Sequence, residues 1–188
     1  MGNQRVFIDK GVYEYNAGKR RRLSRSTKSH NTVTVGGYDQ CEFWHSFRVA
    51  RRASVEVLDY EYLDGKFRIK ARHDGYTRLK GNPIHQRELI FNGEELTIRD
   101  EIKNGEHQEA KTRFLLHPDV KIRQLEAGLH LEFEKTALLF ATNLSFKVEE
   151  TSWYPNFGVE ESCMQIIADL GEVPCKGQFK IELLKTKT

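Results

Sequence analysis

Short runs of alternating polar and apolar residues, each ended by a turn signal, restrict this chain to β-structure. Examples of such runs are residues 32–35, 54–57 and 67–71. A period of two places every second side chain on one face of a strand. No stretch has both the length and the spacing of an amphipathic helix. Because the runs recur at intervals of about ten residues, the sequence predicts an all-β fold, a large antiparallel multi-stranded β-sandwich with few or no helices.

Two dipeptides mark the clearest turns between these predicted strands. Asp64-Gly65 and Asn92-Gly93 supply the positive φ angles that tight hairpin turns require. Residues 16–29 differ, because they are polar, basic and without alternation, which indicates an irregular connection. The composition does not shift along the chain and no linker interrupts it, so the sequence predicts one domain over residues 1–188.

Charge and composition exclude several classes of protein. The formal net charge of +3 in 188 residues is too small to indicate binding to nucleic acid. No apolar run is long enough to span a membrane, and the first residues lack the pattern of a secretory signal. Cys41, Cys163 and Cys175 have no metal-binding spacing and are interpreted as reduced, mostly buried thiols.

The positive charge is concentrated near the N-terminus. Eight cations lie between Arg5 and His30, against two acidic residues, Asp9 and Glu14. This basic segment could bind a polyanion such as an acidic polysaccharide. A solvated loop is the other interpretation, and charge alone favours it.

Two clusters contain residues that could carry chemistry. His30 follows the basic segment where a strand is expected to begin, a position that exposes a side chain while the sheet holds it still. His73 and Tyr76 lie in the second cluster, again at the end of a predicted strand. Histidine, tyrosine and arginine suit β-elimination from a uronic acid, which needs a base for the C5 proton, a donor for the carboxylate and an acid for O4. A histidine bonded only to backbone, and an ordinary strand with its turn, are the simpler alternatives.

A series of short motifs spans nearly the whole chain. It includes residues 9–16, Arg25-Ser26-Thr27, Ser29-His30-Asn31-Thr32-Val33, His73-Asp74-Gly75-Tyr76 and His85-Gln86-Arg87. Together these motifs resemble the C-terminal β-sheet domain of the heparinase II/III-like family of polysaccharide lyases. The resemblance implies a layered β-sheet domain that, in the family, joins an N-terminal α/α toroid and cleaves acidic polysaccharides by β-elimination in the cleft between them.

The resemblance also implies roles for particular residues. His30 would be the catalytic-site histidine of the β-domain, close to the substrate carboxylate. Tyr76 would be a second catalytic residue that faces the cleft. Six further residues would bind substrate or support that pair: Arg25, Asn31, Arg51, Arg52, His73 and His85.

Two departures from the family pattern affect these expectations. The toroid supplies a catalytic tyrosine and an asparagine that neutralises the carboxylate, and this chain has no toroid, so weak or absent lyase activity is expected from the chain alone. Some relatives hold a structural metal with a histidine two places beyond the catalytic one, and that place is Thr32 here. His45 and His85 with an aspartate are the remaining candidate ligands, but no spacing rule supports them. No cofactor or metal site is therefore predicted, although a structural zinc or calcium remains an alternative.

The resulting hypothesis is the C-terminal part of a lyase that cleaves uronic-acid-containing polysaccharide and contributes half of the active-site cleft. Its expected partners are an acidic polysaccharide and the toroid, and a longer protein of this kind is expected in the periplasm or outside the cell. A non-catalytic carbohydrate-binding module and a structural β-sandwich are the two rivals. An apolar patch beside His30 and Tyr76 would favour a missing partner domain, whereas a groove of arginines and aromatic rings without such a patch would favour the binding module.

Overall fold

The computed structural model describes residues 5–184, which form short strands with little helix. One α-helix, α1, spans Lys19–Arg25, and a 3-10 helix spans Thr27–Ser29. The first strands are β1 Val33–Val35, β2 Glu42–Trp44, β3 Arg48–Arg51, β4 Val55–Leu63, β5 Lys66–His73, β6 Ile84–Phe91 and β7 Glu95–Lys103. The others are β8 Glu109–Leu115, β9 Lys121–Leu125, β10 Gly128–Phe133, β11 Thr136–Ala141, β12 Phe146–Trp153, β13 Glu161–Glu172 and β14 Cys175–Leu184. Within this described part, neither helix has the length and apolar character needed to cross a membrane.

The strands form two large antiparallel sheets and a separate hairpin. The larger sheet has eight strands in the order β4-β5-β6-β7-β14-β11-β10-β9, and the smaller has four in the order β1-β8-β13-β12. Strands β2 and β3 pair only with each other. The predicted all-β antiparallel sandwich with few helices is confirmed.

Both predicted hairpin turns are present. Asp64 and Gly65 join β4 to β5, and both have positive φ angles, 50° and 75°, as a type I′ turn requires. Asn92 and Gly93 join β6 to β7, with a φ of 107° at Gly93. The Asn92 side chain also accepts the backbone N–H of Glu95 at 2.8 Å. The Asp64-Gly65 turn gives the register of a two-residue hairpin, with Leu63 paired to Lys66, whereas the loop at Asn92-Gly93 is two residues longer, with Phe91 paired to Leu96.

The two sheets pack face to face around an apolar core. Phe114 of β8 contacts Phe140 of β11 and Phe179 of β14, with ring centroids 5.2 and 4.9 Å apart. All three rings are buried, as are Leu131 and Ile166. Such aromatic pairs add to the stabilisation from apolar burial, which is about 1.5–3 kcal/mol for each large side chain. The core thus joins the small sheet to the middle of the large one.

The basic segment of residues 16–29 is not irregular as predicted, because it contains α1 and the 3-10 helix. The sequence gives little sign of α1, since Gly18 at its N-cap makes no side-chain capping bond and its first turn has no acidic residue. Tertiary contacts hold it instead. Arg21 Nε donates to the Ser46 carbonyl at 2.9 Å and Arg25 Nη1 donates to the His45 carbonyl at 2.7 Å. These bonds attach α1 to the β2–β3 hairpin.

One part of the large sheet leaves an apolar face uncovered. Val55, Val57, Tyr60 and Tyr62 of β4 are each 61–71% exposed. The pairing of β4 with β5 puts all four on one face of the sheet, and Val55 lies beside His73. We call this surface the β4 patch. The β4 patch lies on the same face of the large sheet that the small sheet covers at the strands nearer the middle.

Candidate functional site

His30 lies at the end of the 3-10 helix, just before the chain enters β1. Its Nδ1 is 2.7 Å from Oδ2 of Asp9, which belongs to the N-terminal segment. The side chains of His30 and Asp9 are 37% and 59% exposed. The pair is therefore fixed by a hydrogen bond and remains accessible to a ligand.

Asp9 favours the charged form of His30. The hydrogen bond with Asp9 raises the pKa of His30 above its ordinary value, against the opposing effect of burial. For Asp9, burial acts to raise the pKa, but the hydrogen bond and the charge of His30 lower it to a net value below the usual range. A partly exposed imidazolium beside a carboxylate can attract and hydrogen-bond an anionic group.

The turn that carries His30 is tied to its surroundings by short hydrogen bonds. Oδ1 of Asp39 accepts the Ser26 hydroxyl at 2.8 Å and the Thr27 N–H at 2.6 Å. The Thr27 hydroxyl in turn accepts the N–H of Gln40 at 2.8 Å. Thr27 is almost fully buried, so this turn has little room to move.

The side-chain amide of Asn31 is hydrogen-bonded within the protein and is not free to bind a ligand. Its Nδ2 donates to the Ile8 carbonyl at 2.9 Å, and its Oδ1 accepts the Leu115 N–H at 2.7 Å. The side chain thus joins the N-terminal segment to β8. Asn31 was expected to bind substrate or to support His30; both ends of its amide have protein partners, so its contacts fit the supporting role.

A buried network of charged side chains in the large sheet supports the same turn. Arg87 of β6 donates to the Asn31 carbonyl and binds both oxygens of Asp100 of β7, at 2.7 and 2.8 Å. The Thr112 hydroxyl donates to Asp100 at 3.0 Å, which links the two sheets. The carboxylate of Asp100 is buried. Burial would raise its pKa, but the charge of Arg87 and the hydrogen bonds from His85 and Arg87 bring it well below the usual range.

His85 and His73 continue this network toward the surface. His85 Nε2 is 2.7 Å from Asp100 Oδ1, and His85 Nδ1 is 3.1 Å from His73 Nε2. The Gly75 N–H donates to His73 Nδ1 at 3.2 Å. These contacts fit two neutral rings. His73 Nε2–H donates to His85 Nδ1, and His85 Nε2–H donates to the Asp100 carboxylate. Burial lowers the pKa of His73 to about 4, which agrees with a neutral ring.

His85, expected to bind substrate or to support His30 and Tyr76, is buried and is not exposed to a ligand. His85 bonds Asp100, Asp100 binds Arg87, and Arg87 donates to the Asn31 carbonyl. His85 therefore helps to fix the turn at Asn31. His73 is partly exposed and adjoins the β4 patch. The structure thus brings His73 and His85 together in one network, in which His85 is buried and His73 is partly exposed.

Tyr76 does not face a cleft, so that prediction is wrong. Its ring is completely buried in the core, and its hydroxyl donates to the Val33 carbonyl of β1 at 2.7 Å. Burial also raises its pKa far above the ordinary value for tyrosine. A buried, protonated hydroxyl with a backbone partner cannot act as a base on a polymer outside. Its large apolar ring and single hydroxyl suit a core position between strand and turn.

The three predicted arginines occupy different environments. Arg25 donates to the carbonyls of His45, Phe47 and Arg48 and lies over the ring of Phe43, 4.4 Å from its centroid. Its guanidinium therefore holds the β2–β3 loop.

Arg51 and Arg52 are exposed at the end of β3. Arg51 is 3.7 Å from Glu42, and the Arg52 guanidinium contacts no acidic group of residues 5–184 at ion-pair distance. Both stay available to an anionic ligand.

Three acidic or basic residues of the site had no assigned role in the sequence analysis. Asp9 and Arg87 fall inside the motifs quoted there, and Asp100 lies opposite Arg87 in the pairing of β6 with β7. The predicted two-residue turn at Asn92-Gly93 would have placed Arg87 opposite Ile98. The loop in the structure is longer, with Phe91 paired to Leu96, and this register brings Arg87 opposite Asp100. No short-range sequence motif indicates that Asp9 and His30 are neighbours in the fold.

The donor set around His30 does not complete a metal site. Asp9 and His30 are ligand types that zinc accepts, but a zinc site needs at least three protein ligands. No group of three or more His, Cys, Asp or Glu residues is placed to hold a metal within residues 5–184. Two ligands alone would bind zinc weakly.

Comparisons with known proteins agree with this architecture. The family model described as "Heparinase II/III-like, C-terminal" matches residues 1–182. Comparison with curated proteins gives no match. Among solved structures, a heparinase III, the BT4657 gene product, is similar with a TM-score of 0.76 and 17% identity. The match covers 96% of this chain and 28% of that one.

A second solved structure, the heparan sulfate lyase HepC from Pedobacter heparinus, gives a TM-score of 0.75 at 12% identity. It is matched over 97% of this chain and 29% of its own length. At such low identity the two structures support the fold alone. This chain spans less than a third of either protein.

Proposed function

Because this chain belongs to the heparinase II/III-like C-terminal family, we propose that it forms one side of the active-site cleft of a lyase acting on uronic-acid-containing polysaccharide. The observation that carries the proposal is the accessible His30–Asp9 pair on a turn fixed by Asn31. His30 is the group of this chain that meets the uronate carboxylate.

The role of His30 follows from the charge that β-elimination develops. When a base removes the C5 proton, the bonding electrons form the C4–C5 double bond, the bond to O4 breaks, and an acid protonates the departing oxygen. Negative charge grows on the carboxylate in this step, so a fixed cation beside it lowers the barrier. Asp9 orients His30 and favours its protonated form, so that His30 supplies the cation. The base and the acid come from elsewhere.

Two observations support a partner domain that supplies those groups. Tyr76, expected as a second catalytic residue facing the cleft, is buried. The β4 patch exposes two valines and two tyrosines on the sheet face that also carries His73. Uncovered apolar surface of this extent is typical of an interface with another protein part. In this proposal the partner is the helical domain of a longer protein, and the chain alone is weakly active or inactive.

The experiment is a lyase assay that follows the ultraviolet absorbance of the new double bond. Heparan sulfate, alginate and hyaluronan are each offered to this chain and to the full-length product of its gene. His30→Ala is compared with His107→Ala. His107 is the matched control, because it also pairs with a carboxylate, Glu172, at 2.9 Å but lies on the β7–β8 loop.

The proposal expects activity from the full-length product, a loss of about a hundredfold or more with His30→Ala, and little change with His107→Ala. Equal activity of His30→Ala and the unaltered protein would remove His30 from the mechanism. Saturable binding without cleavage by either form would instead identify a carbohydrate-binding module. Full activity from the short chain would contradict the need for a partner domain.

A further inference from the structure

Three exposed aromatic rings from separate segments of the chain meet on one surface. The Tyr15 ring lies 5.8 Å from the Phe47 ring and 5.3 Å from the Phe157 ring, measured between centroids. The three side chains are 53–67% exposed. We call these three rings the aromatic platform. Exposed rings gathered in this way have a large apolar area in contact with water, which a ligand can cover.

The backbone under the platform is fixed without a ligand. Arg21 donates to the Ser46 carbonyl, and Arg25 donates to the carbonyls of Phe47 and Arg48. The Gly158 N–H donates to the Tyr13 carbonyl at 2.8 Å, which ties the segment with Phe157 to the segment with Tyr15. The rings are therefore held in solvent by their own loops.

Arginine side chains of α1 lie at and beside the platform. The Arg21 guanidinium lies 5.1 Å from the Tyr15 centroid and 5.3 Å from the Phe47 centroid. Arg21 and Arg22 also line an adjoining cavity of about 280 Å³. Asp39 lines the same cavity but accepts hydrogen bonds from Ser26 and Thr27, and Arg22 makes no ion pair within residues 5–184. These charges are available to an anionic ligand.

We propose that the aromatic platform and its cations bind a sugar unit of an anionic, uronate-bearing saccharide, at a subsite separate from His30. A pyranose ring presents a C–H face that can lie flat on an aromatic ring, while guanidinium groups bind carboxylate or sulfate. The saccharide class rests on the proposed function, and the subsite extends it. Helix α1 connects the two places, since Arg21 reaches the platform and the helix, about 10 Å long, leads toward His30.

The charge pattern favours a saccharide over a protein domain at this surface. A dry protein interface would strip water from unpaired cations, which is costly unless each finds a partner. A polyanion pairs with them while water remains. The β4 patch, whose exposed side chains are apolar or tyrosine, suits a protein domain better.

The test measures binding by this chain of oligosaccharides of heparan sulfate, alginate and hyaluronan, by titration calorimetry. Polyphosphate serves as a polyanion without sugar rings. The ring variants are Phe47→Ala and Phe157→Ala, the charge variant is Arg22→Gln, and the control is Tyr62→Ala, an equally exposed ring in the β4 patch. Circular dichroism checks that each variant remains folded.

Each ring variant is expected to weaken binding of the best oligosaccharide about five- to tenfold and to leave polyphosphate binding unchanged. Arg22→Gln weakens both, and Tyr62→Ala changes neither. Unchanged oligosaccharide binding in both ring variants, or no binding of any oligosaccharide, overturns the subsite. So does weaker self-association of the ring variants by sedimentation with unchanged oligosaccharide affinity, which would assign the surface to protein contact.

The outcomes separate this inference from the proposed function. If the full-length product cleaves polysaccharide and the ring variants bind it normally, only the platform is refuted. If the rings bind saccharide and no form cleaves it, the subsite remains and the lyase function fails.

Discussion

Replacing Asp100 with asparagine is expected to destabilise the protein strongly. The carboxylate is buried and accepts hydrogen bonds from His85, Thr112 and, through two nitrogens, Arg87. An asparagine amide keeps one oxygen acceptor and turns an NH₂ group toward donors. It also leaves the half-buried Arg87 without its counter-charge. Breaking one partner of a buried ion pair costs about 3–5 kcal/mol.

That loss is large relative to the total stability of a domain, about 5–15 kcal/mol. For a chain of this size it corresponds to a decrease in melting temperature on the order of 10 °C. The measurement is urea unfolding at neutral pH, with thermal melting beside it. Asp119→Asn is the control, because that side chain is 76% exposed and its loss should change stability by less than about 0.5 kcal/mol.

The dependence on pH gives a second measurement of the same network. The pKa of Asp100 is lowered on folding, so its contribution is fully present above the unfolded value, 3.8, and is lost as the pH falls toward the folded value. The unaltered protein should therefore lose stability below about pH 4 more steeply than Asp100→Asn. A loss below about 1 kcal/mol in urea, the range of a surface ion pair, would refute the reasoning.

Three further changes test other parts of the structure. Asp9→Asn should lower the pKa of His30 toward its ordinary value, since Asp9 is the main cause of the rise; a His30 proton-resonance titration that does not move would contradict the pairing. Tyr76→Phe should cost about 1–2 kcal/mol in urea unfolding by leaving a buried carbonyl without its donor, yet leave saccharide affinity unchanged, and a selective loss of affinity would restore Tyr76 to the site. Burial raises the pKa of Cys163 and of Cys175 to about 11, so iodoacetamide at neutral pH should label both slowly in the native protein and rapidly in urea, as mass spectrometry can show; rapid native labelling of Cys163 would refute its burial.

The period-two pattern predicted where the strands lie but not how far each extends. The run at residues 54–57 is the start of β4, which continues to Leu63. The pairing with β5 shifts between Val57 and Asp59, so a bulge interrupts the alternation and hides the second half of the strand from a periodicity argument. Helix α1 was missed for a different reason, since contacts from Arg21 and Arg25 stabilise it and its own sequence does not.

The candidate site was only partly predictable for a similar reason. His30 could be identified from its motif, but its partner Asp9 is distant in sequence and no spacing rule connects them. Tyr76 was misplaced because a tyrosine near a strand end can lie either in the core or in a cleft. Packing decides between these positions. In the core, the Val33 carbonyl accepts a hydrogen bond from the buried Tyr76 hydroxyl, so that this polar group has a partner.

The supports of the His30 turn suggest that this side of the site is ready before any partner arrives. The turn is bonded to the N-terminal segment through Asn31, to the large sheet through Arg87 and to the β1–β2 loop through Asp39. None of these bonds requires a ligand or another domain. Low activity of the chain alone would then reflect missing catalytic groups, not a disordered loop.

Amide hydrogen exchange can test that argument directly. The Ser29 and His30 N–H groups donate to the carbonyls of Ser26 and Thr27 at 2.9 and 3.1 Å. Their exchange should be as slow in this chain as in the full-length product without substrate. Much faster exchange in the short chain would show that the partner domain orders the turn, and the site would then be assembled by docking and not merely completed by it.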